Sequence, residues 1–257
     1  MATLVTAFFD IQREDKGDGR KLEEYMEWMK KTLQINANLY IATEEKFVPF
    51  IQEHRPSQYP TVIKVQTLQD CKYYQYYDKM CEILKSDLYK SRIQHPNRVE
   101  CILPEYNLIQ YSKFGWLEDA IKEDPFHTPS FFWVDMGISR FFLDVDISKP
   151  YPGPCIHTTD RFIIQQRYDL LHYPIDDQLV WKSDNLLKGG MFGGSKECIH
   201  LISKELEDVF VTNMLEKGNV NNEQVGLAIV WKRKPFLFHL VEDYRGLPMI
   251  LFKILSQ

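Results

Sequence analysis

Short apolar runs alternate with amphipathic stretches along the first half of this chain, and that alternation constrains its fold more than any other feature. Leu4 to Phe9 is a β-branched and aromatic run that stops at Asp10, as a buried strand would. A loop rich in charge and glycine follows from Gln12 to Arg20. Leu22, Tyr25, Met26, Met29 and Leu33 then recur at helical spacing. Leu39 to Ala42 reads as a second strand, with Thr43, Glu44 and Glu45 capping a helix after it. Thr61 to Val65 reads as a third. Thr67 and Asp70 form a capping-box pattern before a long helix carrying Leu68, Cys71, Tyr74, Cys81, Leu84 and Leu88. Another helix is marked by Tyr106, Ile109, Phe114, Leu117 and Ile121. It leads through Pro125 and Pro129 into the apolar strand Phe131 to Val134, closed by Asp135. Such alternation predicts an α/β fold with a mostly parallel central sheet flanked by helices.

The second half is less regular. Ser148 to Pro154 holds three prolines in seven residues and must be a loop or an extended connection. Residues 161–167 suit an antiparallel strand. Four of the 12 glycines fall between positions 189 and 194. Ser195 follows them as an N-cap for a helix with Ile199, Ile202, Leu206, Val209, Phe210 and Met214 on one face. Asn221-Asn222-Glu223-Gln224 opens a further helix through Trp231. No repeat and no linker divides the 257 residues, which points to a single domain.

Charge sets a boundary on partners. The balance of 31 basic and 36 acidic side chains, net −5, does not suit a protein that coats nucleic acid or an anionic membrane. Any phosphate must be held by a local site. The five cysteines, Cys71, Cys81, Cys101, Cys155 and Cys198, form no CxxC pair, and their odd number leaves a thiol over. They read as small buried apolar residues rather than a zinc cage or a disulfide scaffold. The N-terminal run has no basic n-region, and the run Leu247 to Leu255 is interrupted by Pro248 and Lys253. The expectation is a soluble, cytoplasmic protein with no transmembrane segment.

In open α/β sheets ligands bind beyond the carboxyl ends of the strands, and that rule selects Asp10 and Asp135. Each could hold a ribose hydroxyl or a hard divalent cation, while Asp135 could equally cap the turn at Met136-Gly137. The glycine cluster, read as a loop before a helix N-terminus, suits an anionic or sugar ligand, or a tight turn with no ligand. Glu223 is either a first-turn acid that complements the helix dipole or a catalytic carboxylate. His239, alone in an apolar run, reads first as a core histidine and second as a metal ligand. No GxSxG, HExxH or Cys–His pattern supports a hydrolase.

Several blocks resemble the HtrL/YibB-like proteins of bacteria and some large DNA viruses. They are Leu4 to Arg13, Tyr106 to Phe114, Phe132-Trp133-Val134-Asp135-Met136-Gly137-Ile138-Ser139-Arg140-Phe141, Gly189 to Gly194, and Asn222-Glu223-Gln224. The order of strand-end acid, Phe-Gly-Gly segment and Asx-Glu pair is also similar to glycosyltransferases of the GT-A fold. That resemblance implies a single GT-A-like, Rossmann-related domain, with residues 1–147 as the nucleotide-binding half and 148–257 as the acceptor and sugar half. It puts Asp10 and Arg13 near a nucleoside and Lys113 against a phosphate. It puts Asp135, in place of the DxD motif, on Mn²⁺ or Mg²⁺, with His239 filling the metal's shell. Gly190, Gly193 and Gly194 would line the sugar pocket, and Glu223 would stand beside the reacting centre.

One departure matters. Asp135-Met136-Gly137 is D-x-G, so the second acid is missing, and Asp144-Val145-Asp146 follows a charged turn rather than a hydrophobic strand. The function implied is transfer of a sugar from a nucleotide-sugar donor to a glycan, glycolipid or protein acceptor, with a divalent cation. The alternative is a non-catalytic carbohydrate- or nucleotide-binding protein of the same fold, and a pure interaction protein comes third. Donor sugar, stereochemistry and oligomeric state are left open.

Overall fold

Every residue of β1 (Thr3–Phe8) is buried in the computed structural model, which describes residues 2–142, 144–153, 160–242 and 249–257. A strand covered on both faces has no solvent side, so its sequence runs apolar without alternation. Helices α1 (Arg13–Lys16) and α2 (Leu22–Thr32) follow, then β2 (Asn38–Thr43), α3 (Val48–His54) and β3 (Thr61–Val65). Next come α4 (Tyr77–Lys85), α5 (Asp87–Arg92), α6 (Val99–Ile102), the long α7 (Pro104–Glu123) and β4 (Ser130–Val134). The second half supplies β5 (Phe162–Gln166), β6 (Leu187–Ser195), α8 (Lys196–Val209), α9 (Glu223–Arg233), β7 (Phe238–Val241) and α10 (Ile250–Ile254).

The seven strands make one sheet in the order β3-β2-β1-β4-β6-β5-β7. β1 pairs in parallel with β2 and β4, β2 with β3, and β5 with β7. Only β6 runs antiparallel to both of its neighbours. The sheet passes through both halves of the chain, so this is one mixed α/β domain with a mostly parallel sheet, as the alternation predicts. Successive strand residues face opposite ways. Val5, Phe131 and Trp133 therefore join one core with Tyr111, Phe114 and Leu206 of the helices. Leu4, Phe132 and Val134 join the other with Met29 and Leu251. Each large apolar side chain buried in these layers contributes about 1.5–3 kcal/mol.

Three local expectations need correcting. Thr43 is not a cap: it is the last residue of β2, and its hydroxyl donates to the Phe8 carbonyl oxygen at 2.8 Å. The long helix after Thr67 is broken into 3₁₀ turns at Leu68–Asp70 and Lys72–Tyr76, then α4 and α5. The break between the last two falls at Ser86, which has extended backbone and caps α5 by accepting from the Tyr89 N–H. The glycine segment is not a loop but part of β6. Because β6 is antiparallel, Ser195 pairs with Ser130 at the amino end of β4, and Met191 pairs with Val134 at its carboxyl end. The N-terminus of α8, capped by Ser195 as expected, therefore lies at the end of the sheet away from Asp135.

Candidate active site

The chain builds outward from β1 through β2 to β3, then β4 returns to the other side of β1. Connections leaving two such neighbours diverge, and a crevice opens beyond their carboxyl ends. A cleft of about 490 Å³ lies there, lined among others by Asp10, Arg13, Lys113, Trp133, Asp135 and Gly190. Its size is that of a small-molecule site.

Lys113 forms the floor. It sits on α7 between the core residues Tyr111, Phe114 and Trp116, and only 2% of its side chain is exposed. An ammonium in such surroundings needs partners for all three of its protons. Its Nζ donates to the Gly189 carbonyl oxygen at 2.9 Å and to Glu223 Oε1 at 2.9 Å, and it lies 3.3 Å from Asp135 Oδ1. Burial works against the charge, but the Asp135 and Glu223 carboxylates outweigh it and hold the ammonium above its usual range.

Glu223 is the first residue of α9, and Asn222 caps that helix by accepting from the N–H groups of Gln224 and Val225. The Asn222 amide in turn donates to Asn185 Oδ1 at 2.8 Å and Glu100 Oε1 at 3.2 Å. The glutamate is wholly buried, at 0% exposure. Burial pushes its carboxyl up from the ordinary value, with Lys113 pulling in the opposite sense. Gly189 makes this packing possible, since a Cβ there would collide with Glu223 Oε1. Asp135 is the outermost of the three, its side chain 36% exposed. Its Oδ1 accepts from Trp133 Nε1 at 2.8 Å, two residues back along the same face of the chain, and its N–H donates to the Gly190 carbonyl oxygen at 2.8 Å.

The rim carries charges of both signs and aromatic rings. Asp10 is tied down by the Gln12 N–H at 2.9 Å and Lys46 Nζ at 3.2 Å. Arg13 donates to Asp18 through Nε at 3.0 Å and lies over the Tyr106 ring at 5.0 Å. Arg20 lies over Tyr25 and Trp28, at 5.9 and 5.8 Å. Arg140 covers the same Trp28 ring at 4.4 Å and donates to the Gly137 carbonyl oxygen at 2.9 Å.

The residues expected to act together are thus partly assembled. Asp10, Arg13, Lys113, Asp135 and Gly190 line the cleft. Glu223 meets Lys113 at 2.9 Å from behind and does not line the cleft. Gly193 and Gly194 do not line this cleft: they lie within β6, where a Cβ on Gly193 would collide with the Phe131 carbonyl oxygen. His239 is neither a core residue nor a neighbour of Asp135. It is exposed on the edge strand β7, paired with Ile163. Three strand spacings separate it from β4, about 14 Å. Cys71, Cys81, Cys101 and Cys198 are free thiols; Cys155 falls outside the described residues. Residue patterning missed Arg20, Trp28, Trp133 and Gln224. Trp133 was legible in principle, because a side chain two positions before a strand-end acid shares its face.

A divalent cation is poorly served by this donor set. Among the described residues no three acid, histidine or cysteine side chains gather to hold one. Asp135 Oδ1 is already engaged by Trp133 and faces the Lys113 ammonium.

Fold and site together define an α/β protein with a polar cleft at a sheet switch point, floored by a buried lysine between two acids. The chain belongs to the HtrL_YibB family, described as a bacterial protein of unknown function, which it matches over residues 1–256. Protein HtrL of Escherichia coli (strain K12) is 26% identical to it over 269 residues, spanning 98% of this chain and 91% of that protein. Among solved structures, the apo form of mouse xyloside xylosyltransferase 1 is 10% identical, with a TM-score of 0.46, covering 94% of this chain and 85% of its own. A glycosyltransferase involved in glycosylation of the major capsid of PBCV-1 is 12% identical, with a TM-score of 0.36, covering 95% and 82%. Among the described residues no helix is long and apolar enough to cross a membrane.

Proposed function

We propose that this protein is a glycosyltransferase that moves a sugar from a nucleotide-sugar donor to a glycan, glycolipid or protein acceptor. The observation that carries the reading is Lys113, a buried cation at the floor of a cleft where the α/β switch point favours a nucleotide. In the reaction an acceptor hydroxyl oxygen bonds to the anomeric carbon as the bond from that carbon to the diphosphate breaks, and the hydroxyl proton passes to an oxygen of the leaving diphosphate. Negative charge grows on the leaving diphosphate. A fixed cation in a site shielded from water stabilises such charge without reorganising. Asp135 Oδ1, at 3.3 Å, is the longest and outermost of the three Lys113 contacts, so a phosphate oxygen can replace it there while Gly189 and Glu223 keep the ammonium aimed. In this scheme Glu223 is a positioning residue. Asp10 and Arg13 flank the nucleoside side of the cleft, and Gly190 lets the sugar approach the strand.

The test is turnover of a panel of nucleotide sugars, followed by release of nucleoside diphosphate, with and without manganese. Turnover of at least one donor, lost in Lys113→Met while thermal melts show that the variant still folds, supports the reading. No turnover and no binding across the panel refutes it. A second reading, a non-catalytic carbohydrate- or nucleotide-binding protein, is favoured by one observation: the Glu223 carboxylate does not reach the cleft. Thermal stabilisation by nucleotide or sugar with no release of diphosphate from any donor would select it.

A further inference from the structure

We propose that Arg20 and Arg140, together with Lys113, hold the donor's diphosphate directly, so that this site needs no divalent cation. The inference rests on the nucleotide-sugar reading and goes beyond it by assigning the ligand's charge to side chains.

The charges around the cleft are unevenly paired. Lys113 is matched by Asp135 and Glu223, Arg13 by Asp18, and Lys46 by Asp10. Among the described residues neither Arg20 nor Arg140 forms a salt bridge. They touch instead the Tyr25 hydroxyl at 3.4 Å for Arg20, the Gly137 carbonyl oxygen for Arg140, and the rings beneath them. The two guanidinium groups share the Trp28 ring, one at 5.8 Å and the other at 4.4 Å. Partial burial and then the Arg20 charge press Arg140 below its ordinary value, with the Asp135 carboxylate pulling in the opposite sense. Two guanidinium groups that share one ring, neither of them in a salt bridge, favour an anion bound beside them. The rim acids Glu14, Asp15 and Glu23 are exposed and screened by water. Arg20 and Arg140 line the cleft together with Lys113, so a nucleotide-sugar diphosphate bound there would meet all three cations. Guanidinium groups also present paired donors that fit phosphate oxygens.

The same geometry opposes a metal. A divalent ion on Asp135 would stand beside the Lys113 ammonium, 3.3 Å from Oδ1. It would have to hold that place against a like charge, with neither a second acid at Gly137 nor His239 within reach.

Calorimetric titration of the full-length chain with UDP and GDP, in excess EDTA and in excess manganese, tests the proposal. Arg20→Gln and Arg140→Gln are titrated alongside, with thermal melts to confirm that both exposed-rim variants fold. The expected result is nucleoside diphosphate binding in EDTA with a Kd within about threefold of that in manganese. Each variant is expected to weaken binding about tenfold to hundredfold, with a smaller salt dependence. Binding seen only with manganese, or binding indifferent to both arginines, overturns the proposal and leaves the glycosyltransferase reading intact. If no nucleoside diphosphate binds under either condition and no nucleotide sugar is turned over, the underlying reading fails and this one with it.

Discussion

The Lys113 ammonium and the Glu223 carboxylate meet 2.9 Å apart with neither side chain open to solvent, one on α7 and the other on the first turn of α9. Two helices from different halves of the chain are therefore joined by a charge contact beneath the cleft. Breaking a buried ion pair from one side costs far more than the pair contributes, because the remaining charge is stranded. Lys113→Met is expected to destabilise the protein by about 3–5 kcal/mol in urea unfolding at pH 7. Lys113→Met combined with Glu223→Gln should cost less than the sum of the two single changes, with a coupling of roughly 0.5–3 kcal/mol. Additive losses would mean the two groups do not communicate.

The pH dependence of stability follows from the direction in which Glu223 is shifted. Its folded-state value lies above the ordinary 4.5 because the side chain is buried. Below that ordinary value both states are protonated and the group's favourable contribution is fully present. As the pH rises the unfolded chain ionises first, so that contribution is lost through the folded-state value. Glu223→Gln lacks this loss. The melting temperature of the variant minus that of the native protein should therefore climb as pH increases from about 4.5. A difference that stays flat or falls across pH 4.5 to 8 contradicts the assignment. Lys113 does not confuse the window, since its own contribution is lost only at alkaline pH, above 10.5.

Two glycines in β6 should respond in opposite ways. A Cβ on Gly193 meets the backbone of β4 at the Phe131 carbonyl oxygen, where nothing can move aside. Gly193→Ala is expected to cost about 1–3 kcal/mol in denaturant unfolding. At Gly190 the nearest obstacle is the mobile end of Met249, at 2.7 Å, with Asp135 Oδ2 at 3.5 Å. Gly190→Ala should stay within about 1 kcal/mol of the native protein in stability. Its effect belongs in ligand affinity, read by nucleotide titration. Equal stability losses at both positions would contradict the placement.

His239→Ala should change neither nucleotide affinity nor the response to manganese. An exposed edge-strand residue of this kind alters stability by no more than about 0.5 kcal/mol. A measured loss of metal-dependent binding would return His239 to the site.

How much of this was legible in the sequence can be traced residue by residue. Asp10 and Asp135 were found because apolar runs end abruptly at an acid, and that pattern survives any choice of sheet order. Ser195 was found because a helix cap is local chemistry. Lys113 entered through family resemblance, since nothing within its own helix says that three partners from β4, β6 and α9 will converge on it. Gly193 and Gly194 were misread because a glycine pattern does not distinguish a phosphate-cradling loop from a strand that must approach its neighbour closely. Only the antiparallel direction of β6 separates the two, and strand direction is a long-range property. His239 was misread because an apolar run such as Pro235 to Leu240 does not reveal which face of an edge strand is covered. Arg20 and Arg140 meet over Trp28 from separate segments of the chain, so neither carried a local signal.

The left-handed Gln12, with φ of 56°, and Gly19, with φ of 75°, bracket a segment whose short helix α1 buries no residue. The opposite wall rests on β4 and β6, hydrogen-bonded strands in the middle of a seven-stranded sheet. The cleft is therefore mechanically lopsided, with one jaw welded to the core and the other hung on two left-handed residues. That jaw carries Arg13 and borders Arg20, so the wall of the cleft with the least packing behind it holds two of its cations.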